Sequence, residues 1–101
     1  MNDVFSTLSK LQTLLRYAEQ FLDRSRNNID IGEFRAYLAN LTEDISALDD
    51  LESMARIQAA LGEVGKCDYV IRNSPEMKQE FLIPAIEKLV GSIRNRAQLT
   101  H

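Results

Sequence analysis

Apolar residues recur along this chain at alternating steps of three and four, which is the spacing of one face of an α-helix. Near the start they are Val4, Leu8, Leu11, Leu15, Ala18 and Leu22, and after a polar gap they are Ile31, Phe34, Leu38, Leu41, Ile45 and Leu48. A pattern sustained over most of 101 residues predicts a single all-α domain spanning 1–101, with one core.

The punctuation between the stripes predicts four helices. The first spans about 3–24, with Asn2 or Asp3 available to cap its free N–H groups. Its apolar arc is wide, because Phe5, Leu14, Tyr17 and Phe21 flank the main stripe. The polar run Asp23–Asp30 predicts a loop. A second helix follows over 31–48, with Asp30 as cap and Glu33 at capping-box spacing. Between Leu48 and Ile57 the apolar residues step only by threes, and each such step turns the stripe back by about 60°. The faces before and after differ enough to predict a break near Asp49 and Asp50 and a third helix over 51–72. Gly62 and Gly65 within it suggest close helix approach or a local bend. Ser74-Pro75-Glu76 predicts the start of a fourth helix over 75–97, capped by Ser74 with Pro75 at its first position. Pro84 cannot donate to Glu80, so a kink is expected there, and Met77 and Phe81 lie about 120° from the stripe Ile86, Leu89 and Ile93. Short connections favour antiparallel neighbours. The expected architecture is an up-down-up-down four-helix bundle with a kinked C-terminal helix.

The composition excludes several functions. Twelve basic residues against fifteen acidic ones give a net charge of −3, a poor balance for neutralising phosphates, so no nucleic acid is expected as a partner. No apolar run approaches the length of a membrane span, and the N-terminus has neither the basic nor the apolar region of a secretory signal. The single cysteine, Cys67, cannot form an internal disulfide and its helical spacing suits the core. Together these predict a cytoplasmic protein that does not engage a membrane.

Chemistry-bearing patterns are sparse. His101 is the only histidine, which removes most Ser-His and Cys-His schemes and histidine-rich metal sites. No glycine-rich phosphate loop is present. The run from Asp23 through Ser25, Asn27, Asn28 and Asp30 to Glu33 places oxygen ligands at alternating positions between two helices. It resembles an EF-hand loop, which would imply calcium binding. It departs from that pattern in having 11 residues rather than 12, Asn28 in place of the central glycine, and Arg24 and Arg26 inside the site. Arg96 and His101, with four residues between them, are similar to the motif of HEPN ribonucleases, themselves small helical bundles, and that resemblance would make the pair catalytic. No cofactor or metal is expected beyond these two resemblances.

The expected function is a non-enzymatic interaction module: an adaptor, chaperone, antitoxin, immunity protein or regulatory subunit. The reasoning is that the wide arc of the first helix exceeds what one core demands, so Leu14, Tyr17 and Phe21 are candidate contacts for a protein partner or a second copy in a dimer. Glu43, Asp44, Asp49, Asp50 and Glu52 form an acidic run without Lys or Arg between Arg35 and Arg56, a candidate dock for a basic surface. An ion- or small-molecule-binding bundle using 23–33 is the alternative, and a ribonuclease using Arg96 and His101 the second.

Overall fold

The computed structural model describes residues 4–48 and 51–99. Helix α1 spans Val4–Asn27, α2 Ile31–Ser46, α3 Leu51–Gly65, α4 Asp68–Asn73 and α5 Lys78–Leu99, with a 3₁₀ turn at Pro75–Met77 before α5. The principal packing closes a ring: α1 lies against α2 and α5, and α3 lies against the same two helices. The result is an all-α four-helix bundle measuring 45 × 20 × 19 Å, with α4 as a short annex packed on α2 and α5.

The sequence pattern explains most of the core. Leu14, Ala18 and Phe21 of α1 meet Phe34, Leu41 and Ile45 of α2, Met54, Ile57, Ala60 and Val64 of α3, and Leu82, Ile86, Leu89 and Ile93 of α5, all buried, and Leu11 is buried as well. Cys67 is buried as well, at the junction of α3 and α4. Its thiol lies 3.5 Å from the Glu63 carbonyl oxygen and 3.7 Å from that of Phe81, and burial pushes its pKa up.

The boundaries depart from expectation in four places: the last helix, expected over 75–97, opens as the 3₁₀ turn and its α-helical part spans Lys78–Leu99, and the other three departures each have a physical reason. Helix α1 runs past residue 24 to Asn27 because the Asn28 N–H bonds back to the Arg24 carbonyl at 3.0 Å and because Phe21, Ser25 and Ile29 continue a buried line at steps of four. Arg24 and Arg26 in its last turn complement the negative helix end. Helix α2 stops at Ser46, two residues early, with Ala47 as C-cap. The break before α3 is therefore present, while Asp49 and Asp50, the residues expected to mark it, lie outside the described residues, as do Asn2 and Asp3. The third predicted helix is two: α3 ends at Gly65, a turn occupies Lys66 and Cys67, and α4 follows. Gly65 thus sits at a bend, its missing Cβ 3.8 Å from Leu38 Cδ2, whereas Gly62 faces open space.

The caps are partly as expected. Asp30 is extended (φ −93°, ψ 171°) and its Oδ1 accepts from the Glu33 N–H at 2.8 Å. The reciprocal half of the capping box is missing, because the Glu33 carboxylate is taken by Arg24. Ser74 makes no side-chain cap; its carbonyl instead accepts from the Met77 N–H at 2.9 Å and closes the 3₁₀ turn, with Pro75 in its first position. Helix α5 continues through Pro84 to Leu99. Pro84 and Glu80 are both exposed, which puts the missing hydrogen bond on the solvent side, where water can replace it.

Candidate interaction surfaces

At Leu14 and Phe21 the wide arc of α1 is consumed by the fold itself, while the side chain of Phe5 lies outside the described residues. Leu14 is 3% exposed and Phe21 is fully buried, which corrects the expectation that they face a partner. The cause lies on α2, where Phe34 and Tyr37, three residues apart, turn an aromatic face toward α1. The Phe21 ring stacks on Tyr37 with centroids 5.0 Å apart and planes at 11°, and tilts against Phe34 at 5.8 Å. Tyr17 is half-buried against Tyr37, and its phenol oxygen accepts from Asn40 Nδ2 at 2.8 Å. Burial pushes the Tyr37 phenol up.

Polar contacts at the two rims of α1 are sorted by neighbour. Toward α2, Arg24 donates to Glu33 through Nε at 2.9 Å and Nη2 at 2.7 Å, a bidentate pair that holds the Glu33 carboxyl below its usual range. Toward α5, Arg94 meets Glu19 at 3.1 Å and Arg26 meets Glu87 at 3.0 Å. Glu19 and Arg26 stand seven residues apart on α1, and Glu87 and Arg94 seven apart on α5, so the antiparallel helices exchange the same two charges in opposite order. Between the pairs runs an open groove of about 560 Å³ lined by Glu19, Leu22, Asp23, Arg26, Glu87, Val90 and Arg94. A ligand entering it would have to compete with both ion pairs.

Of the stretch resembling a calcium loop, only residues 28–30 are non-helical. Asp23, Ser25 and Asn27 lie within α1, where Ser25 points into the core and the Asn27 amide donates to the Asp23 carbonyl at 2.8 Å. Glu33, the expected bidentate ligand, is occupied by Arg24. Among the described residues no group of three or more His, Cys, Asp or Glu side chains is arranged to hold a metal ion. Of the pair similar to the HEPN motif, Arg96 is half-buried near the end of α5, and His101 lies outside the described residues. No helix among the described residues is long and apolar enough to cross a membrane.

Two surfaces stand out. The first is the acidic end of α2. Glu43 and Asp44 are exposed in its closing turns, where no basic residue balances the negative helix end. Neither makes an ion pair among the described residues. Asp49 and Asp50 lie outside the described residues, and Glu52 belongs to α3. The second surface lies toward the opposite end of α2, which α4 caps through Arg35 and Asp68. There Tyr69 is 65% exposed and Phe81 49% exposed, the large hydrophobic side chains that the fold leaves in water among the described residues. Phe81 was legible in the sequence as a residue off the α5 stripe; Tyr69 lies likewise opposite the buried line Val64, Cys67 and Ile71, a signal that sequence reasoning passed over.

With the fold and these surfaces in view, the chain belongs to the class of four-helix bundles. No known family model matches it, and no curated protein or solved structure shows significant similarity to it.

Proposed function

We propose that this bundle is a non-enzymatic protein-binding module that engages a protein partner, a second copy included, through the end of the molecule carrying Tyr69 and Phe81. The observation that carries the reading is the exposure of these two aromatic side chains on a fold that hides Phe21 and Phe34 completely. Aromatic residues are the side chains most enriched at the energetic centres of protein interfaces, since they bury large area with little loss of conformational freedom. The acidic run from Glu43 to Glu52 supplies a second contact suited to a basic surface, because the Glu43 and Asp44 carboxylates sit against the unfavourable end of the α2 dipole and gain from an incoming cation. A cytoplasmic setting belongs to the same proposal, with the sole cysteine kept reduced in the core.

The test is a photo-crosslinking amino acid placed at position 69, and separately at 43, in the cells that make the protein. The expected result is a discrete adduct at 69 that disappears in a Phe81→Ser background. An adduct of twice the chain mass identifies a second copy; any other mass identifies a different partner. Absence of a discrete adduct at both positions overturns the proposal. Phe81 is half covered, so Phe81→Ser costs stability; a thermal melt showing that the variant is folded at the crosslinking temperature makes loss of the adduct read contact rather than unfolding.

A further inference from the structure

Helix α4 has the construction of a strap rather than of a fifth member of the bundle. It is six residues long, Asp68–Asn73, too short to persist on its own. Both of its ends are weak. The preceding turn at Lys66–Cys67 gives the helix an N-cap, Cys67, with no side-chain capping bond. The following residue, Ser74, leaves helical geometry (φ −146°, ψ 61°) and leads into Pro75, which has no N–H to offer. Of the six residues only Ile71 is buried, while Tyr69, Arg72 and Asn73 are exposed. What ties α4 to the body, besides the seating of Ile71 and Cys67, is one carboxylate. Asp68 accepts from Arg35 of α2 through Nε at 2.9 Å and Nη2 at 3.3 Å and is braced by Arg72 Nε at 3.1 Å.

We infer that α4 opens as a unit while the four long helices stay folded, hinging at Lys66–Cys67 and Ser74–Pro75, with the Arg35–Asp68 pair as the latch. Opening lifts Ile71 from its seat and bares the Cys67 thiol next to Phe81, whose carbonyl it touches when closed. Segments with few buried apolar contacts open with less free energy than the whole domain. This inference does not depend on what binds the aromatic end.

Cys67 is the one cysteine of the chain, so labelling of the folded protein with a thiol reagent reads this motion alone. In a urea series well below the unfolding midpoint, the labelling rate is expected to be flat, because a local opening exposes little surface and global unfolding much more. Arg35→Gln is expected to raise the rate by about 1.4-fold to fivefold, the range of an exposed ion pair. Arg94→Gln, which breaks the remote Glu19 pair, is expected to leave it unchanged, since that pair is intact in both open and closed forms. A labelling rate that rises with urea along the global unfolding slope from the outset overturns the inference. So does an equal response to the two substitutions, or labelling no faster than global unfolding allows.

Discussion

Ser25 shows how a single residue can be misread from its neighbours in sequence. It lies in the polar stretch Asp23–Asp30, yet its side chain is 1% exposed and its hydroxyl finds no hydrogen-bond partner among the described residues. The polar letters around it hid the spacing Phe21, Ser25, Ile29, which continues the buried face of α1. A buried hydroxyl without a partner keeps the cost of leaving water and gains nothing in return. Ser25→Ala is therefore expected to stabilise the fold by about 1 kcal/mol, seen as a higher urea midpoint with an unchanged slope. The reverse outcome, destabilisation, would mean that the hydroxyl is satisfied in solution. Asp30, by contrast, was readable at once, because a cap depends on residues within three positions of itself.

At the scale of elements, existence and type were legible and boundaries less so. The phase change after Leu48 announced a break between α2 and α3, because a rotating stripe cannot face one core through a straight helix, although α2 already ends at Ser46. The same logic missed the stop after Gly65, since Val64, Cys67 and Ile71 keep a helical rhythm across the turn and all three are buried. The partner-facing role expected of Leu14 and Phe21 failed for a related reason. A wide apolar arc states how many neighbours a helix has, and here the second neighbour is α2 with Phe34 and Tyr37 rather than another protein. Two glycines illustrate what remains improvable in the elements. Gly62 and Gly91 lie within α3 and α5 with ordinary backbone angles, and a Cβ at either position would meet nothing within 4 Å. Replacing each by alanine is expected to raise stability by about 0.5–1 kcal/mol, nearly additively if the sites act independently, as measured by thermal and urea unfolding. Gly62→Ala failing to stabilise would indicate that the outer face of α3 is covered in solution.

For the molecule as a whole, acid is the condition to which the ion pairs give a defined response. The Glu33 carboxyl is held low by Arg24, and Asp68 is held low chiefly by the hydrogen bonds from Arg35. A carboxylate with a folded pKa below its unfolded one stabilises the fold fully above the unfolded value and loses that contribution as pH falls through the folded one. Urea midpoints are accordingly expected to decline once the pH drops below about 4.5, where unfolded Glu and Asp begin to protonate. A Glu33→Gln variant is expected to decline less steeply over the same interval; an identical acid profile would show that the Arg24 pair is not maintained in solution. The candidate surfaces were only half legible at this scale. The acidic run lies within ten residues of sequence, Glu43 to Glu52, and could be seen. The aromatic pair comes from residues twelve positions apart, and each stays in water because it sits off a buried stripe, Tyr69 opposite Val64, Cys67 and Ile71 and Phe81 away from Ile86, Leu89 and Ile93.

The exposed carboxylates of Glu43 and Asp44 and the moored helix α4 stand toward opposite ends of α2, in a body 45 Å long and about 20 Å across. A rod with unlike poles acts as a spacer: whatever grips one tip leaves the other tip's occupant unobstructed, and neither visitor senses the other through direct collision. Any conversation between the tips would have to pass along α2, which carries Glu43 and Asp44 in its closing turns and Arg35, the mooring of α4, near its start.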